Sequence, residues 1–133
     1  MFDLRKKTIF ATQTNAMKKI YHLSSCSTNQ RILKELNVGQ EVELQDIKEK
    51  NIDTKTLEFI KEKVGSYEAL FSKRAMKYKS MGLNEMNLTE EDYKKYILEE
   101  YTFLKRPFII LGDQVFIGNA AKTVEAAKQA YHG

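Results

Sequence analysis

The sequence predicts an α/β domain built on one four-stranded mixed sheet, and three observations carry that prediction. The first half alternates short apolar runs with amphipathic helical patterns, in the order βαβα. The end carries two apolar runs separated by Gly112-Asp113 and followed by one more helical pattern, in the order ββα. Between the two, residues 66–104 contain no convincing strand and read as a helical insertion. A chain of 133 residues suits one domain with a real hydrophobic core. With 42% hydrophobic and 30% charged residues, the composition is that of an ordinary globular protein.

Residues 1–16 differ from the rest of the chain. They are basic and Thr-rich, lack a long apolar core, and read as a loose N-terminal extension ahead of a domain over 17–133. In the domain, Ile20-Tyr21-His22-Leu23 reads as the first strand. Ile32, Leu33 and Leu36 then share one helical face, which Asn37 to Gly39 ends. Glu41-Val42-Glu43-Leu44-Gln45 alternates polar and apolar as a second strand, expected to pair parallel with the first. Asp53 is placed to cap a helix with Leu57, Ile60 and Val64 inward, and Gly65 to end it. Thr89 with Asp92 three residues on opens a further helix carrying Tyr93, Tyr96, Ile97 and Tyr101, whose spacing favours core packing over a platform for bases. Phe108–Leu111 and Gln114–Gly118 read as a hairpin, and Asn119 is the expected cap of a last helix with Ala120, Val124, Ala127 and Tyr131 on one face. This order, with the only proline directly before the third strand, is the plan of a thioredoxin-like fold interrupted by an insertion.

Several function classes are disfavoured. No apolar run approaches the roughly 20 residues that span a membrane. The net charge is +4, of which Arg5, Lys6 and Lys7 against Asp3 supply +2 in the extension, so no stripe for direct nucleic-acid binding is expected. A single cysteine forms no internal disulfide and fits a reducing, cytoplasmic setting.

That cysteine, Cys26, is the most informative residue. It lies where the first strand passes through Ser24-Ser25 into the helix opening at Ser27-Thr28. A thiol there faces the free N–H groups and positive end of the helix dipole, which favour thiolate and attract anions. Polar neighbours on both sides argue against an inert, buried thiol.

The chain resembles the glutaredoxin-type arsenate reductase and Spx family over essentially all of 17–130. Tyr21-His22 followed by Cys26-Ser27-Thr28 is similar to the reductase motif, Lys105-Arg106-Pro107-Phe108-Ile109-Ile110 to its Arg-Pro strand entry, and Ala69 to Arg74 with Tyr78 and Met81-Gly82-Leu83 to the insertion's signature. The resemblance implies a thiol oxidoreductase with Cys26 as nucleophile toward a small oxyanion or a disulfide sulfur. It implies that His22 tunes the thiol, that Arg106 forks onto an oxyanion or the thiolate, and that Pro107 is a cis-proline holding a backbone edge beside the cysteine. Backbone N–H groups of Ser27, Thr28 and Asn29 would cradle the anion, with one of the hydroxyls as helix cap. No bound cofactor and no metal are expected. The external reductant is expected to be glutathione or glutaredoxin, and the protein a monomer.

The departures from the family pattern bear on substrate and switching. Ser72 stands where the reductases carry one oxyanion arginine, Arg74 fits the Ser-x-Arg arrangement of Spx-like members, and Val115 to Asn119 contain no arginine. Asn29 stands where redox-switch Spx proteins carry a second cysteine, so an oxidised Cys26 needs an outside thiol. Two other readings compete with the reductase: an Spx-like protein-interaction and regulatory module, and a family member that has lost activity.

Overall fold

The structure, a computed structural model, describes residues 17–133; the expected extension over 1–16 lies outside the described residues. The strands are β1 (Lys18–His22), β2 (Glu43–Asp46), β3 (Phe108–Leu111) and β4 (Gln114–Ile117). The helices are α1 (Ser27–Leu36), α2 (Thr54–Val64), α3 (Met76–Ser80), α4 (Glu90–Glu99) and α5 (Ala121–His132). The sheet order is β2-β1-β3-β4, with β1 and β2 parallel and the other pairs antiparallel. This is the mixed four-stranded sheet that the pattern predicts, carrying βαβα, an insertion and ββα.

Side-chain alternation along the central strands divides the core into two layers. Ile20 and Ile109 pack with Ile32 and Leu36 of α1 and with Val124 and Ala127 of α5 on one face. Tyr21, Phe108 and Ile110 pack on the other with Leu57 and Ile60 of α2 and with the insertion. The insertion has its own aromatic centre: Phe71 stacks on Phe103 at 4.8 Å and meets Tyr93 edge-on at 5.0 Å. Tyr96 packs on Phe103 as well, which gives these tyrosines the packing role expected of them.

Helix ends follow local chemistry. Asp53 accepts from the Thr56 N–H at 2.7 Å, and Gly65 closes α2 at φ +99°, a conformation that costs glycine little. Thr89 and Asp92 form a reciprocal capping box at α4. Tyr101 falls beyond that helix, in a 3₁₀ turn at Tyr101–Phe103.

Four local expectations need correction. β1 spans Lys18–His22 rather than ending at Leu23, because the Leu23 N–H turns aside to the Asn29 carboxamide. β2 starts at Glu43, since the Val42 N–H closes a turn onto the Gly39 carbonyl. The α5 cap position is Ala120 with no side-chain cap, Asn119 lying one residue too early. Neither Ser27 nor Thr28 caps α1, because both lie within its first turn and Cys26 itself is the cap residue.

Candidate active site

The loop from Leu23 to Cys26 is braced from several directions. Its own turn closes with the Cys26 N–H donating to the Leu23 carbonyl at 3.0 Å. From α1, Gln30 Nε2 donates to the Ser24 carbonyl at 2.8 Å and Asn29 Oδ1 accepts from the Leu23 N–H at 2.9 Å. From β2, Asp46 accepts from both the Ser24 N–H and the Ser24 hydroxyl. The hydroxyl bond holds the Asp46 carboxyl below the usual carboxylate range, so the clamp stays charged at neutral pH. Cys26 is thereby fixed, half-buried, at the head of α1. Because N–H groups in a helix's first turn have no intrahelical acceptor, this end presents donors to whatever approaches the sulfur. Asn29 Nδ2 also donates to Cys26 Sγ at 3.6 Å.

The thiol opens into a cavity of about 630 Å³ between α1, the turn after β4 and the first turn of the insertion. Among the described residues its cations are Lys73, Arg74, Lys105 and Arg106, and its single carboxylate is Glu68. That excess of positive charge in a concave wall focuses the field on anions. Lys73 pairs with Glu68 at 2.7 Å, which lowers the carboxyl's affinity for protons and raises that of the ammonium. The opposite wall, Ile117 to Ala120, is uncharged.

Arg106 enters the site from the turn before β3. Its Nη1 donates to the carbonyls of Thr102 at 3.1 Å and Leu104 at 3.2 Å, and its buried Nε has no partner among the described residues. Anchored through Nη1, Arg106 lines the cavity. The Arg106–Pro107 bond is cis, and the Pro107 carbonyl accepts from the Gly118 N–H at 2.9 Å, which joins the entry of β3 to the turn after β4. Backbone pairing also seats the insertion. Ser72 donates its N–H to the Phe103 carbonyl at 2.7 Å, and Lys105 donates its N–H to the Leu70 carbonyl at 2.9 Å, around a Phe71–Leu104 bridge. This short ladder carries Ser72, Lys73 and Arg74 to the cavity.

Of the residues singled out from sequence, Cys26, Asn29, Arg74 and Arg106 line this one cavity. Ser27, Thr28 and Pro107 lie next to lining residues without lining it. His22 does not line it either: two residues beyond Ile20, it takes that residue's face of β1, away from Tyr21, and its Nδ1 is buried without a partner among the described residues. Sequence reasoning gave no role to Lys73 and Lys105, which stand inside the quoted motifs, or to Glu68 beside them, and missed the Asp46 and Gln30 braces. The first group was detectable as charge beside Arg74, Arg106 and Ala69. Asp46 was not, since its bond to Ser24 crosses 22 residues.

A cysteine at the N-terminus of the first helix, beside a sheet ordered β2-β1-β3-β4 and a cis-proline strand entry, defines a monothiol site on a thioredoxin-like fold. The model of the ArsC family matches residues 21–127, and the chain belongs to that family. An arsenate reductase of Haemophilus influenzae is 29% identical over 108 residues, covering 79% of this chain and 93% of that protein. Among solved structures, an ArsC-family-related protein of Bacteroides fragilis superposes with a TM-score of 0.70 at 22% identity, covering 85% of this chain and 99% of its own. An arsenate reductase of Vibrio cholerae gives 0.68 at 19% identity, covering 86% and 98%. At these identities the two structures speak for the fold.

Proposed function

We propose that the protein is a thiol-dependent reductase of small oxidised anions, with Cys26 as its nucleophile and an outside thiol, glutathione with or without glutaredoxin, as reductant. One observation carries this reading: the sole cysteine stands at a helix N-terminus inside a cavity to which the described residues bring four cations and one carboxylate. For arsenate, the Cys26 thiolate attacks arsenic and one oxygen leaves as water, forming an S–As(V) bond. A glutathione thiolate then attacks the Cys26 sulfur. The S–As electron pair stays on arsenic, which leaves as arsenite, and a disulfide between Cys26 and glutathione remains. A second thiol releases Cys26 by exchange, so two thiols are oxidised for each arsenic reduced. Arg106 and Arg74 hold the oxyanion, while the first-turn N–H groups of α1 face its negative charge. The cavity exceeds what a tetrahedral oxyanion fills and lies in the range of about 300–1,000 Å³ that accepts larger ligands, leaving room for the thiol co-substrate.

A coupled assay with arsenate, glutathione and glutaredoxin tests the reading. Arsenate-dependent thiol oxidation is expected from the parent and none from Cys26→Ser. Equal rates in the two proteins would refute it.

A further inference from the structure

The Asn29 side chain is among the few buried polar groups of the described residues, at 1% exposure, and both ends of its carboxamide are occupied. Oδ1 accepts from the Leu23 N–H and Nδ2 donates to Cys26 Sγ. The first bond decides the second. Turning the amide over would aim two donors at each other at Leu23 and an oxygen lone pair at the sulfur, so the backbone locks the donor end toward the thiol. A buried, neutral, fixed donor stabilises a developing sulfur anion and keeps the sulfur on one rotamer facing the cavity.

We infer that Asn29 is a positioning residue of the reaction, its side-chain amide holding the Cys26 sulfur as thiolate and aiming it into the cavity. The inference rests on reading Cys26 as the reacting group. It assigns the residue a side-chain role distinct from the anion cradle, to which a backbone N–H at any residue type would contribute. It also changes the role of the position that a second cysteine would occupy. Where a resolving thiol would stand, the chain keeps a permanent donor three residues after the nucleophile.

Iodoacetamide alkylation of Cys26 against pH, on the full chain without substrate, tests this. Glu68, Lys73, Arg74, Lys105 and Arg106, the charged groups that share the cavity with the sulfur, are the same in every variant. Asn29→Asp keeps an acceptor for the Leu23 N–H but turns an oxygen to the sulfur. Its alkylation profile is expected to move toward alkaline pH, with a rate at pH 7 about tenfold below the parent. Asn29→Ala removes the donor without adding charge and is expected to alkylate about threefold more slowly; it decides the matter if the aspartate variant folds poorly. A purely structural amide would change thermal stability in Asn29→Ala and leave both profiles on the parent curve, and that result would overturn the inference. The proposed reaction fails in the turnover assay, whereas the donor role fails in the alkylation profile, so the two are separable.

Discussion

Arg106 illustrates how much one side chain can be asked to do. Its Nη1 is committed to the Thr102 and Leu104 carbonyls, which anchors the guanidinium on the turn before β3 while the residue lines the cavity. Lysine keeps the charge but is a single point donor, so it either caps those carbonyls or reaches the anion. Arg106→Lys is therefore expected to lose turnover by roughly tenfold or more, the equivalent of one charge-assisted hydrogen bond of about 1.5–3 kcal/mol. Steady-state kinetics with arsenate and glutathione check this, and an unchanged kcat/KM would reduce Arg106 to a structural brace. The identity of the cavity cations was partly legible in sequence, since Arg74 and Arg106 belong to recognisable motifs. Glu68 and Lys73 stood in the sequence only as charges in or beside those motifs, and their pairing inside the cavity is a property of the folded turn rather than of either residue.

At the scale of elements, legibility depended on whether the governing contacts were local. The α2 and α4 caps were readable because Asp53 bonds Thr56 and Thr89 bonds Asp92, each within three residues. The end of β1 was misread by one residue because Leu23 answers to Asn29, and the start of β2 because a turn at Gly39 intervenes. The α4 capping box also offers a clean test of how firmly the insertion is held. Thr89→Ala removes the side-chain acceptor of the Asp92 N–H and frees the Asp92 carboxylate from its partner geometry. A loss of about 1 kcal/mol is expected, with a drop of about 4 °C in Tm. Thermal unfolding by circular dichroism measures it. A loss below about 0.3 kcal/mol would place the insertion's stability wholly in its aromatic centre rather than in its helix ends.

Taken whole, the molecule carries a set of carboxylates that fold at the expense of their proton affinity. Hydrogen bonds from Thr56 lower the Asp53 carboxyl, those from Thr89 lower Asp92, and the Ser24 hydroxyl lowers Asp46. Because the folded value lies below the unfolded one, each contributes stability in full above the unfolded value of about 3.9 and loses it as pH falls through the folded value. The midpoint of urea unfolding should therefore be nearly flat between about pH 5 and 7 and decline below about pH 4. A midpoint that held steady down to about pH 3 would show these bonds to be absent in solution.

The two-stranded ladder at Ser72–Phe103 and Leu70–Lys105 brings chain near the two ends of the insertion side by side. The chain between residues 73 and 102 leaves and returns at this ladder, and on the way Tyr93 and Ile97 pack back onto the core beside Leu57 and Ile60. The ladder ties the Ser72–Arg74 wall of the cavity directly to the chain that enters β3, so the cations at 73, 74, 105 and 106 are spaced by backbone hydrogen bonds rather than by the helices between them.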